Sequence, residues 1–574
     1  MITPSPKFVF VQSLALAGLA LGAASLHADV KLAVPFQDHM VLQREMKVPV
    51  WGTADAGENI TVEFAGQKKT ATADDKGAWR VNLDALTASA ESRALTVSGS
   101  KTAAPLKVDD VLVGEVWLAS GQSNMVFPVQ KSGPYGGIVE QDAEIPTANY
   151  PTLRMFTASD TKNYQPQTTV RGSWVVCTPE TVGSFSAIGY LFGRDIQKVL
   201  KVPVGILTSA SGASCAEAWI SRETMAGDPQ LKPYLDLLDA SMSYYTKAMA
   251  DAAAKAAANP PPAATPAPAA PADATAATPP AAGARGGRGG RGGRGGPALP
   301  PEVVAGAPLH PTPINKPRTA VNNLSNPQSD QHFATVLFNG MINPLVPYAM
   351  RGAIWYQGES IAGGTPGLNL YGHIMQALVK DWRGRWGEGN FPFYLVQLPG
   401  QENISNNPII REQQQTVLAL PNTGMAVTID TGEARNVHPV NKTPTGDRLA
   451  RLALANVYGQ KIEFSGPIYD SLKVEGSAAR IKFTHGAGLM AKGDTLKGFQ
   501  IAGADQKFVD AVAKIDGDTV VVSSPDVATP VAVRYAWANF PEGMGVNLYN
   551  KDDLPAAPFR TDKWDYPIAG IVEN

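Results

Sequence analysis

At 574 residues the chain is long enough for more than one hydrophobic core, and roughly two to four domains is the natural expectation. Its 49 Lys+Arg nearly balance 51 Asp+Glu, which removes any global pull toward nucleic acid or an anionic membrane surface. Seven scattered histidines, two cysteines and no CxxC or HxxxH spacing exclude a recognisable metal motif, so a chemistry without metal or cofactor is expected.

The first element is an export signal. Lys7 precedes Phe8-Val9-Phe10 and an apolar run from Leu14 to Leu21, and small residues at Ala23, Ala24, Ser25 and Ala28 place a cleavage near Ala28. The run is too short and too rich in Gly and Ala for a membrane anchor, and no later stretch supplies a span. The mature chain is therefore expected to be secreted or periplasmic. From 29 to 106, Val48-Pro49-Val50-Trp51, Ile60-Thr61-Val62-Glu63-Phe64 and Trp79-Arg80-Val81-Asn82-Leu83 alternate as half-buried strands do, which predicts a β-sandwich.

From 107 to 460 continuous apolar strands alternate with helical stretches, the pattern of a parallel α/β sheet covered on both faces. The strands are placed at Val111–Ala119, Val202–Leu207, Arg351–Tyr356, Phe393–Leu398 and Met425–Asp430. The helices are placed at Phe185–Leu200, Gly372–Trp386 and Asp447–Tyr458. A stretch from 250 to 311, mostly Ala, Pro and Gly, interrupts the pattern and carries Arg285, Arg288, Arg291 and Arg294 in an RGG repeat. It has too little apolar bulk to offset ordering entropy and reads as a disordered spacer. RGG repeats can bind single-stranded nucleic acid, but no basic stripe elsewhere supports such a partner. From 461 to 574 strand-like runs return, as in Thr519-Val520-Val521-Val522, and predict a β-rich C-terminal domain. Oligomeric state has no signature here.

Chemistry concentrates at strand ends, where an α/β sheet leaves backbone groups unpaired and loops form a crevice. Ser123, in Gly121-Gln122-Ser123-Asn124-Met125, follows the strand ending near Ala119; its bland alternative is a helix cap. A serine hydroxyl needs a base, and His438-Pro439 follows the strand ending at Asp430; the other such pair, His310-Pro311, lies in the biased stretch. Donors for an oxyanion could come from Ser209-Ala210-Ser211-Gly212-Ala213-Ser214, or from the amide of Gln357 in Gln357-Gly358-Glu359-Ser360. Together these imply an esterase. Cys177 and Cys215 could form a bridge or stay as two buried thiols.

Longer stretches carry a family likeness. They are Gly114-Glu115-Val116-Trp117-Leu118-Ala119-Ser120-Gly121-Gln122-Ser123-Asn124-Met125, Phe338-Asn339-Gly340-Met341-Ile342, Trp355-Tyr356-Gln357-Gly358-Glu359-Ser360, Pro392–Leu398 and Val437-His438-Pro439-Val440-Asn441-Lys442. Met40-Val41-Leu42-Gln43-Arg44 and Pro558-Phe559-Arg560-Thr561-Asp562 extend it to both ends. The chain resembles the sialate O-acetylesterase family, carbohydrate acetylesterases with an SGNH-hydrolase-like α/β domain.

The resemblance implies hydrolysis of acetyl esters on sugar hydroxyls, of sialic acid or of a plant polysaccharide such as xylan. It implies Ser123 as nucleophile, His438 as base, and an oxyanion hole of the Ser123 N–H, a Gly212 N–H and the Gln357 side chain. Where relatives carry an acid three residues before the histidine, this chain has Arg435. Either a backbone carbonyl orients His438, or Glu433, Asp430 or Glu359 does. Trp219, Trp355 and Tyr356 could stack on a sugar or simply fill the core. The alternatives are a catalytically inactive glycan-binding protein of the same fold and an esterase for other short acyl esters.

Overall fold

The computed structural model describes residues 29–258, 326–362 and 368–565. The expected export signal and most of the biased stretch, with its RGG repeat, lie outside the described residues.

In the N-terminal region the two-residue period of the sequence becomes burial. Along Ala78–Leu83, Trp79, Val81 and Leu83 face inward while Ala78, Arg80 and Asn82 face solvent. That strand pairs with Val48–Thr53, which pairs with Lys31–Leu32. Asn59–Phe64, Gln67–Thr72 and Ser89–Gly99 form a second antiparallel set, and Val50, Val81, Ile60, Val62 and Val97 share one core.

A single strand, β1 (Leu106–Gly121), serves both this region and the next. Its first half pairs antiparallel with Ser89–Gly99 and parallel with Val41–Gln43, and its second half is the middle of the central sheet. The other central strands are β2 (Tyr150–Ala158), β3 (Gly172–Cys177), β4 (Val204–Ala210), β5 (Gly352–Tyr356), β6 (Phe393–Val396) and β7 (Thr423–Ala426). They run in the order β3-β2-β4-β1-β5-β6-β7, all parallel except the antiparallel edge β3. Parallel pairing puts the C-terminal ends of β1, β4, β5, β6 and β7 on one edge. At the other end the fully buried Glu115 of β1 takes Arg44 from the N-terminal region and Arg351 from the start of β5. Removing both arginines would leave a buried charge uncompensated, a loss of about 3–5 kcal/mol.

Neighbouring residues on a strand face opposite layers. On one side Trp117 of β1 stacks with Tyr394 of β6 and meets Phe192 edge-on, under α1 (Ala187–Leu200). On the other side Trp355 of β5 and Phe393 of β6 pack on Trp382 of α2 (Tyr371–Trp386). A further helix, α3 (Thr443–Asn456), lies against α1, where a Cβ on Gly446 would stand 2.5 Å from Leu191 Cβ. It starts earlier than the expected Asp447 because Pro444 sits in its first turn, where its missing N–H costs nothing.

C-terminal to the central sheet, two four-stranded antiparallel sheets carry Phe483, Phe499, Tyr535 and Phe559 in an aromatic core. The architecture is the mixed α/β one expected, with β-rich regions at both ends. Residues 250–258 differ from expectation: they continue the helix Lys232–Ala258, which the Ala-rich composition favours. Cys177 and Cys215 are both buried and are not bridged to each other, and burial pushes the Cys177 thiol up to about 12. Among the described residues no helix is long and apolar enough to cross a membrane.

Candidate active site

The turn that ends β1 presents Ser123. Gly121 adopts φ +135°, and a Cβ there would lie 2.1 Å from the Tyr356 carbonyl oxygen, so only glycine fits. Gln122 N–H donates to that same carbonyl at 2.9 Å, tying the turn to the end of β5. Ser123 then opens a one-turn helix, Ser123–Val126. Its side chain is not spent on capping, since the turn has no side-chain cap.

His438 comes from the long connection between β7 and α3. Its Nε2 stands 2.8 Å from Ser123 Oγ. The loop holds this position through its own polar groups. His438 N–H donates to Asn436 Oδ1 at 3.0 Å, Asn436 Nδ2 donates to Glu433 Oε2 at 3.0 Å, and Val440 N–H donates to Glu433 Oε1 at 2.7 Å. Tyr135 packs edge-on against the imidazole, ring centres 5.0 Å apart. Burial, and then the Lys442 charge, lower the histidine to about 4, so it is neutral through the ordinary pH range.

Of the acids considered for orienting His438, none hydrogen-bonds its Nδ1 among the described residues. Asp430 is held by both Arg448 nitrogens, at 2.6 and 2.7 Å, and by Tyr549. Glu433 is taken up by the Asn436 amide and the Val440 N–H. Glu359 accepts from Asn124 Nδ2, and burial raises its carboxyl above the usual range. Arg435, the departure from the family pattern, is exposed.

Asn124 is the joint between the two halves of the site. Fully buried, it donates to the Val437 carbonyl at 2.9 Å as well as to Glu359, and accepts from Lys442 Nζ. The residue after the serine thereby grips the residue before the histidine. Lys442 lies over the rings of Phe127 and Tyr356, and burial lowers its ammonium to about 7.

Gly212 follows β4, and Ser211 N–H donates to the Gly121 carbonyl at 3.1 Å, which draws this loop against the serine turn. A Cβ on Gly212 would stand 3.8 Å from Ser123 Cβ. Neither the Ser123 nor the Gly212 N–H has an acceptor among the described residues.

Gln357 is elsewhere. It is fully buried; its Nε2 donates to the Ser214 carbonyl at 3.1 Å, and the Tyr371 hydroxyl lies 2.9 Å from its Oε1. Burial obliges an amide to find partners, and Gln357 finds them inside the protein as a strut between β5, the Gly212 loop and α2. The expected oxyanion donor is corrected accordingly. Trp219, Trp355 and Tyr356 are likewise core residues, each at most 1% exposed, and not a sugar platform.

Ser123, Gly212 and His438 line one cleft of about 670 Å³, with Tyr135, Gln401 and Ser360 around them. Neither Tyr135 nor Gln401 stands out in the sequence. Gln401 was legible in principle from its place after the β6 strand, at the edge that carries Ser123.

The cleft thus holds a serine and an imidazole in contact at the strand edge of a parallel α/β sheet, and the relatives of this chain are esterases. The family described as "carbohydrate esterase, sialic acid-specific acetylesterase" matches residues 330–455. The chain is 26% identical to the sialate O-acetylesterase of Mus musculus over 618 residues, covering 97% of this chain and 98% of that protein. The Homo sapiens enzyme is 26% identical over 599 residues, with 94% and 96% covered. A carbohydrate acetylesterase crystal structure from Xanthomonas citri superposes with TM-score 0.71 and 32% identity, covering 93% of this chain and all of that one. The protein is a carboxylic-ester hydrolase. It belongs to the sialate O-acetylesterase family of carbohydrate esterases.

Proposed function

We propose that this chain removes acetyl groups from sugar hydroxyls by serine catalysis, with Ser123 as nucleophile and His438 as general base. The observation that carries the reading is the 2.8 Å contact between His438 Nε2 and Ser123 Oγ in the cleft. His438 takes the hydroxyl proton as Ser123 Oγ attacks the acetyl carbonyl. The Ser123 and Gly212 N–H groups receive the oxyanion, a task for backbone donors without another acceptor. Collapse expels the sugar alcohol, which takes the proton from His438, and leaves acetyl-serine. Water then attacks, again through His438, and releases acetate.

No carboxylate is needed on Nδ1 in this scheme, because the Asn436–Glu433 loop and the Asn124–Val437 bond fix the imidazole. The substrate is an acetylated carbohydrate, with O-acetyl sialic acid and acetylated xylan as the two classes to compare. Cleavage after Ala28 and export belong to the same reading, and N-terminal sequencing of exported protein should begin at Asp29.

The test is acetate release by the mature chain and by Ser123→Ala from 4-nitrophenyl acetate, acetylated xylan and O-acetyl sialic acid. Activity on one of the two carbohydrates, lost in Ser123→Ala, is the expected result. Full activity in the variant would remove Ser123 from the chemistry.

The pH profile gives a second expectation. The base works only as neutral imidazole, so kcat/KM should hold through the range where ordinary histidines titrate and fall as pH drops through about 4. Lys442→Met removes the smaller of the two causes, so its acid limb should move up, but not all the way to 6.5. An acid limb near 6.5 in the unaltered chain would contradict this.

A further inference from the structure

The loop after β6 runs along the edge that carries Ser123, and Gln401 lines the cleft there. The residue is only 8% exposed, yet its side chain makes no hydrogen bond among the described residues, and Oε1 is sealed off without a partner. An amide in that state bears the full cost of its desolvation, which a leucine of similar size would avoid.

The backbone around it is fixed on every side. Gly400 N–H donates to Glu542 Oε1 at 3.3 Å, Gln401 N–H to the Asn539 carbonyl at 3.0 Å, and Glu402 N–H to the Ala434 carbonyl at 2.9 Å. A Cβ on Gly400 would sit 1.8 Å from Glu542 Oε2. Glu542 Oε1 also accepts from Gly432 N–H at 2.8 Å, in the loop that leads to His438. Beneath them the fully buried Arg411 guanidinium donates to the carbonyls of Leu398, Pro399, Ala538 and Asn539. The C-terminal region thus sets Gln401 at a fixed place relative to the histidine.

We propose that Gln401 is a substrate-binding residue whose side-chain amide hydrogen-bonds a hydroxyl of the acetylated sugar, and that Glu542 is the positioning residue that holds it there. A primary amide both donates and accepts, as a sugar hydroxyl does, and its terminal torsion is soft enough to turn either end to the cleft. The proposal rests on the reading of Ser123 and His438 as the reacting pair, since that fixes where the acetyl group lies.

The experiment compares Gln401→Leu and Glu542→Ala with the unaltered chain on two substrates. One is 4-nitrophenyl acetate, which has no sugar. The other is acetylated xylan or O-acetyl sialic acid, whichever the unaltered chain turns over. Gln401→Leu should lower kcat/KM on the carbohydrate about 10- to 100-fold more than on 4-nitrophenyl acetate, chiefly through KM. Its melting temperature should stay level or rise, because an unpartnered amide has become an apolar group. Glu542→Ala should shift the substrate ratio in the same direction.

Equal losses on both substrates with a lowered melting temperature, or failure of Gln401→Leu to fold, would make Gln401 a packing residue and overturn the proposal. An unchanged ratio would also overturn it. In both cases loss of activity in Ser123→Ala shows that the catalytic reading stands on its own. Full activity in Ser123→Ala, or no acetate release from either carbohydrate, would instead bring down that reading and this proposal with it.

Discussion

Ser123→Ala and His438→Ala should each lower kcat/KM for acetyl-ester hydrolysis by about 10⁴-fold or more, and the double variant should be no worse than the poorer single. The two side chains share one proton across a 2.8 Å contact. Without the imidazole the hydroxyl keeps its proton, and without the hydroxyl the imidazole has nothing to activate. Residual rate comes from the amide donors and from binding, which both variants retain. The measurement is kcat/KM on 4-nitrophenyl acetate for the four proteins, normalised to folded enzyme. Losses that multiply in the double variant would mean the residues act independently. A His438→Ala variant with most of its activity would hand the base role to another group.

The meeting of Ser123 and His438 was legible because each comes after a strand that the sequence announces. Val111–Ala119 and Met425–Ile429 are apolar runs, and in a parallel sheet the residues just beyond such runs lie on one edge. The structure brings Ser123 and His438 together across 315 residues of chain for that reason. Gln357 obeyed the same positional rule and still did not reach the cleft. Position on an edge does not say which way a side chain turns, and the partners that turned it, Ser214 and Tyr371, come from other elements.

The Asn124–Lys442–Glu359 cluster lay inside the motifs in plain view, yet a lysine four residues after a histidine gives no sign that it will be buried against Asn124. Burial is a property of the assembled layers. The helix boundaries were readable to within a few residues, and the start of α3 slipped because Pro444 reads as a breaker until it is known to occupy a first turn. Residues 250–258 went the other way: their alanines looked like part of the spacer, whereas composition alone cannot tell a helix's last turns from a linker.

Gly121→Ala should lower both stability and activity, by a different route from removing the serine. Its backbone sits at φ +135°, which a side chain tolerates poorly, and the added Cβ would meet the Tyr356 carbonyl oxygen at 2.1 Å. That oxygen already takes the Gln122 N–H, so it has no room to retreat without opening the β1–β5 pairing. Strain and overpacking together should cost about 3–5 kcal/mol of stability. The folded remainder should lose about 100-fold in kcat/KM, since a shift of about 1 Å in Ser123 takes its hydroxyl out of line with His438. Gly227→Ala is the control, because nothing lies within 4 Å of a Cβ there. Denaturation midpoints and kcat/KM for both variants decide the matter. If Gly121→Ala matched Gly227→Ala in both, the turn would have slack to absorb a methyl group, and the serine's place would not depend on the glycine before it.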